Sequence, residues 1–172
     1  MKHRLDLFDK LILPILNYSS EVWGFHKANN IERIHTQYCK RILQVKRCTQ
    51  NDCVYDVLGR FNVAFNRYIR IVKHWLKITS SEDLKYGKII YEVLKPDAVL
   101  YPHKVSWVTL LQHLLSLHVL GFYEVWLAQG VGNVNAFVRV FEQRLRDNNV
   151  QNWSSRVENS SRSTFLNQLF HF

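Results

Sequence analysis

The sequence predicts an all-α protein, an irregular bundle of about seven to nine helices with no sizeable sheet. Three observations carry that expectation: apolar residues recur at three- and four-residue spacing, proline occurs only at Pro14, Pro96 and Pro102, and turn-forming clusters separate the periodic stretches. With 172 residues, 47% of them hydrophobic and 13% aromatic, one domain has the material to bury roughly 70% of its unfolded surface.

The first apolar stretch, Leu11, Ile12, Leu13, Ile15 and Leu16, is apolar almost all round, as a segment buried on several sides would be. Pro14 within it removes a backbone donor and costs about 3 kcal/mol unless the helix kinks. Next, Ile31, Ile34, Tyr38, Ile42 and Val45 mark one face of a helix, with Asn29 and Glu32 spaced as a capping box. A short helix is expected from the Thr49–Asp52 pair to Leu58, facing inward through Val54, Tyr55 and Leu58, with Gly59 as terminator.

From Asn62 to Ile78 the two faces separate most clearly. Phe65, Tyr68, Ile69, Ile71, Val72, Trp75, Leu76 and Ile78 fill half of the helical wheel, while Arg67, Arg70, Lys73, His74 and Lys77 lie opposite. After the capped turn Ser80-Ser81-Glu82-Asp83, a helix is expected from Leu84 to Leu94, stopping before Pro96. Residues 95–104, with two prolines, read as a linker between region 1–94 and region 105–172, the second packed on the first or loosely attached. Ser106 is placed to cap a helix to Leu120, closed by Gly121, with Ser106, Thr109, Gln112 and Ser116 as its polar side. Phe122 to Trp126 adds a turn before the Gly130–Gly132 break. A last helix from Val134 to about Asn148 buries Phe137, Val138, Phe141 and Leu145 and pairs Glu142 with Arg146. Asn159 to Ser163 reads as polar loop.

Charge narrows the function classes. The chain carries +9, and between Lys27 and Lys77 eleven basic residues face only Glu32, Asp52 and Asp56, so +8 of the total lies there. Such a region favours polyanionic partners. Its candidate phosphate contacts are Lys40, Arg41, Lys46, Arg47, Arg60, Arg67, Arg70, Lys73 and Lys77. Phosphate contacts give sequence-independent affinity through counterion release; the competing reading is a solvated helix face.

Cys39, Cys48 and Cys53 form no paired framework. His35 and Cys39 share a helix face, but the spacing onward to Cys48 and Cys53 is irregular, so packing explains them better than a metal. His113 and His118 point about 140° apart on a helix, and His118, amid leucines, reads as a core histidine. No nucleophile-elbow motif accompanies the serines, and the five tryptophans read as core before base-stacking platforms. The basic start, Met-Lys-His-Arg, is followed by Asp6, Asp9 and Lys10 rather than an apolar leader, so an intracellular protein is expected. Val105 to Tyr123 is uncharged but too polar for a membrane span. No cofactor, small-molecule substrate or membrane partner is expected.

Two motifs add a resemblance. Pro14-Ile-Leu-Asn-Tyr-Ser-Ser-Glu-Val-Trp-Gly24 and Ile31-Glu-Arg-Ile-His-Thr-Gln-Tyr-Cys-Lys-Arg-Ile-Leu-Gln-Val45 resemble the segment downstream of the catalytic palm in reverse transcriptase-like proteins of non-LTR, LINE-type retrotransposons. Ser19 stands where that family usually has glycine. Gln129-Gly-Val-Gly-Asn133, Gln143-Arg-Leu-Arg-Asp147 and Gln151-Asn-Trp153 resemble its later motifs, while Asn148 to Val150 departs from its more aromatic version. The resemblance implies a thumb-like region and the helices that follow it, gripping template–primer RNA or DNA and packing against a palm domain. The palm's Asp-Asp motif, which holds two metal ions in this family's RNA-directed DNA polymerases, does not occur in the chain, so polymerisation by it alone is not expected. The alternative is a helical protein-interaction module, or a degenerate retroelement relic without activity, for which an exposed apolar surface from Leu5 to Leu16 is expected.

Overall fold

The computed structural model describes residues 2–82, 85–117 and 120–158, with side chains to residue 155. It is all-α, with no strand among the described residues. A helical run begins with α1 (Lys2–Leu7), passes through a π-helical turn (Phe8–Ile12) and ends in α2 (Leu13–Leu16). There follow α3 (Ser20–Trp23), α4 (Asn29–Leu43), α5 (Asn51–Leu58), α6 (Val63–Thr79), α7 (Tyr86–Leu100), α8 (Trp107–Ser116), α9 (Tyr123–Ala128) and α10 (Val134–Glu158). Counting the first run once, nine helices are described.

Pro14 explains the π turn. Its ring would clash with the carbonyl four residues back and it donates no hydrogen bond; widening the preceding turn lets the run continue. Of this run only Phe8 is buried, against His35 and Tyr38, while Leu7, Leu11, Ile12 and Ile15 are exposed.

Between α2 and α3 the chain reverses at Ser19, whose φ of 52° and ψ of 23° are left-handed. An L-residue there costs about 1–2 kcal/mol, and the Ser19 side chain makes no capping bond in return. Ser19→Gly should therefore raise stability by about 0.5–1 kcal/mol, after allowing for glycine's extra unfolded-state entropy, a gain readable as a higher urea midpoint. The chain then turns at Gly24, which is pressed against α6: a β-carbon there would come 3.2 Å from Arg67 Cβ and 2.2 Å from the Ser20 carbonyl oxygen.

The core is built around α6. Phe65, Ile69, Ile71, Val72, Trp75 and Leu76 are buried with Tyr91 and Ala98 of α7, Val108, Leu111, Leu114 and Leu115 of α8, Trp126 of α9, and Val138, Phe141 and Leu145 of α10. The expected inward face of α6 is thus the buried one, and Asn62 caps it by accepting from the Phe65 N–H at 3.1 Å. One apolar cluster joins both halves of the chain. A smaller cluster, Cys39, Val54 and Tyr55, lies beneath α4 and α5.

Several boundaries differ from expectation. Helix α7 runs through Pro96 to Leu100, so the expected linker at 95–104 is helical in its first half; α7 is anchored on either side of the proline by buried Tyr91 and Ala98, and packing overrides the local penalty. Its start is Tyr86, with Asp83 and Leu84 outside the described residues. Helix α8 has the expected Ser106 cap, with a reciprocal Thr109 bond, but stops at Ser116. Leu117 turns extended there and Gly121, at φ 66°, closes the reversal three residues further than a helix terminator would. The expected core role of His118 lies outside the described residues, as does the loop at Asn159–Ser163. Helix α10 extends ten residues beyond Asn148, and Glu142 pairs with Arg146 at 3.3 Å as expected. Thr49 does not cap α5, which follows Gln50, while Gly59 terminates it in the left-handed region at φ 62°. No described helix is long and apolar enough to cross a membrane.

Candidate nucleic-acid interface

Helix α4 positions the centre of the basic region, and its buried face is not the apolar stripe the spacing suggested. Ile34 and Val45 are exposed, whereas His35, Thr36, Cys39 and Lys40 are buried. The expected Asn29–Glu32 capping box does not form, because Glu32 is engaged elsewhere. Its Oε1 accepts from the Tyr55 hydroxyl at 2.5 Å and its Oε2 from the Val63 N–H at 2.8 Å. Thr36 Oγ1 donates to the Glu32 carbonyl at 2.8 Å and stands 2.6 Å from the Tyr55 hydroxyl. His35 stacks between Phe8 and Tyr55, its Nδ1 4.0 Å from Glu32 Oε1.

Electrostatics follow from this packing. Burial opposes ionisation of Glu32, but His35, the Tyr55 hydroxyl and the Val63 N–H outweigh it and hold the carboxyl below its ordinary range. Burial likewise weighs against a charged His35, while Cys39 and Glu32 favour one and leave the imidazole above its ordinary value. Burial pushes the Tyr55 phenol up, and the adjacent carboxylate adds to that.

The nine sequence-predicted contacts separate into two groups. Three are structural. Lys40 is 8% exposed and its Nζ donates to the Arg47 carbonyl at 2.8 Å, tying the loop after α4 to the helix. Arg60 is ion-paired with Asp9, and its Nη1 stands 3.3 Å from His35 Nε2. Arg67, expected on the open basic face, is only 3% exposed; its guanidinium lies 5.4 Å over the Trp23 ring, an aromatic face that attracts cations. Burial lowers its pKa, partly countered by the Glu32 charge. Arg67 is therefore corrected from a surface contact to an interior one. The physical reason is α3, which packs on this side of α6 and covers the first turn of the stripe.

The other six, Arg41, Lys46, Arg47, Arg70, Lys73 and Lys77, are exposed. Arg70 also donates from Nη1 to the Asn17 carbonyl at 2.6 Å, which holds its stem against the α2–α3 turn. Arg33 joins the exposed group although it was not among the nine, and its signal was legible: Arg33, Gln37 and Arg41 recur at four-residue spacing on one face of α4. No described carboxylate forms an ion pair with any of these seven cations.

Arg33, Gln37, Lys40, Arg41, Arg47 and Asn51 border a groove of about 570 Å³ between α4 and the loop entering α5, within the size range of ligand sites. Glu32 borders it too, with both carboxylate oxygens bonded elsewhere. Among the tryptophans, Trp75 and Trp126 are buried. Trp23 and Trp107 donate to the Tyr18 and Glu21 carbonyls at 2.9 and 2.8 Å, so they serve packing. Cys39 is buried, Cys48 exposed and Cys53 half-buried, all as free thiols. No model of a known protein family, no curated protein and no solved structure matches the chain.

Proposed function

We propose that this chain is a nucleic-acid-gripping helical region of the kind that follows the palm in non-LTR retrotransposon reverse transcriptases, binding the phosphate backbone of template–primer RNA or DNA without polymerising by itself. The observation that carries the reading is the set of exposed cations without a carboxylate partner among the described residues: Arg33, Arg41, Lys46 and Arg47 around α4, and Arg70, Lys73 and Lys77 along α6. The two motifs at 14–24 and 31–45 support the family assignment. Grip through phosphates suits a protein that holds many sequences alike.

Engaging about five to seven phosphates of a template–primer that is part duplex and part single strand predicts a logarithmic salt slope of roughly −4 to −6. Replacing Arg70, Lys73 and Lys77 together by glutamate should weaken binding on every sequence alike and make that slope shallower by about 3. Fluorescence anisotropy across a salt series reads both. Affinity at low salt that the triple variant leaves unchanged would refute the proposal.

One observation favours a second reading, a protein-interaction module. Leu7, Leu11, Ile12, Ile15, Tyr18 and Val22 are exposed along the N-terminal run, as are Tyr86, Ile89, Ile90 and Val93 on α7, more apolar surface than scattered exposed residues leave. In the polymerase reading a palm domain would cover the first patch. Concentration-dependent association in sedimentation, with no nucleic-acid affinity, would favour the module.

A further inference from the structure

We infer that the groove between α4 and the loop entering α5 binds a single unpaired nucleic-acid strand, a conclusion that rests on the nucleic-acid reading above and adds which form enters this site. Lys40 is a largely buried residue that borders the groove, and its Nζ donates to the neutral Arg47 carbonyl. A lysine offers three donors, and among the described residues the Arg47 carbonyl takes one of them. An anion in the groove can take the remaining donors. Holding the Arg47 carbonyl also fixes the loop so that Arg47 borders the groove across from Arg33 and Arg41 of α4.

Shape then selects the form of the polyanion. A duplex carries its phosphates on the outside of a stiff rod, which flat or protruding basic faces such as the exposed side of α6 can meet. Cations held along the walls of a recess are reached by a strand flexible enough to fold its backbone inward. The bordering amides Gln37 and Asn51 both donate and accept, so they can meet base edges of any identity. Among the described residues no aromatic ring borders the groove. Stacking therefore contributes little there, and binding should be base-tolerant and governed by salt.

The test uses the full chain at low ionic strength with a labelled single strand of about 12 nucleotides, inside the usual range of single-strand sites, and a duplex of the same length. The single strand should bind with a salt slope of roughly −3 for about four contacts. The double variant Arg41→Glu/Arg47→Glu should lower single-strand affinity about tenfold or more while changing duplex affinity much less. Arg33→Ala/Arg41→Ala, confined to exposed positions on one helix face, gives the same comparison if the charge reversal disturbs folding by circular dichroism. Equal losses on both forms, or displacement of the strand by inorganic triphosphate at equal phosphate concentration, would overturn the single-strand site. Binding to duplex alone overturns it and leaves the broader proposal standing; no affinity for either form overturns both.

Discussion

Glu32→Ala should destabilise the protein by about 2–4 kcal/mol, the range for removing one member of a buried charged and hydrogen-bonded set. The carboxylate ties three helices: it belongs to α4, accepts from Tyr55 of α5 and accepts from the Val63 N–H at the start of α6. Alanine leaves that N–H, one of the orphan donors of a helix terminus, without its acceptor. It also removes the charge that favours the buried Arg67 guanidinium. Glu32→Gln, which keeps an acceptor oxygen and loses the charge, should cost less, and the gap between the two variants measures the electrostatic part. The pH dependence has a definite sign. Because the folded-state carboxyl titrates below its ordinary value, its contribution is complete above that value and is lost as pH falls through the depressed one. Urea midpoints at decreasing acidic pH should therefore drop more steeply in the wild type than in Glu32→Gln. Parallel curves would assign the acid loss to other groups.

Trp75→Ala should cost more, about 3–5 kcal/mol, a large share of the 5–15 kcal/mol typical of whole domains. The indole is fully buried at the centre of the α6 core, 6.2 Å from the Trp126 ring. Its Nε1 donates to the Tyr91 hydroxyl at 2.9 Å, and that hydroxyl donates to Gln129 Oε1, linking α6, α7 and the turn after α9. Truncation leaves both a cavity and a weakened chain of bonds. Trp75→Phe keeps most of the volume and isolates the lost bond at about 1–2 kcal/mol. If thermal melting puts the alanine variant within 1 kcal/mol of wild type, α6 is not the core element described.

These two residues also mark what was legible. Trp75 was readable because α6 has its apolar residues on one half and its cations on the other, and the periodicity alone names the buried side. Glu32 was not. Helix α4 has an apolar stripe at Ile31, Ile34, Tyr38, Ile42 and Val45, yet it turns His35, Thr36, Cys39 and Lys40 inward, where Thr36 meets the Tyr55 hydroxyl of α5, His35 stacks on Phe8 and Tyr55, and Lys40 bonds the Arg47 carbonyl. Glu32, His35, Cys39 and Lys40 are also polar positions of the motif that resembles the polymerase segment. In this fold they hold the helices together, and the exposed cations beside them, Arg33 and Arg41, form the candidate contact surface.

By itself the sequence determined the helical class, the inward face of α6, the cap at Ser106, the glycine stop at Gly59 and the basic character of the first half. Each of these rests on interactions within a few residues of chain, or on composition. Only the tertiary structure decided that Pro96 sits within a helix and that the larger apolar cluster draws on both halves of the chain. It also decided that Lys40, Arg60 and Arg67 serve the interior while Arg33, Arg41 and Arg47 line a groove. A helical wheel shows which side chains share a face, but whether that face meets water, a carbonyl or a tryptophan depends on which distant helix packs across it.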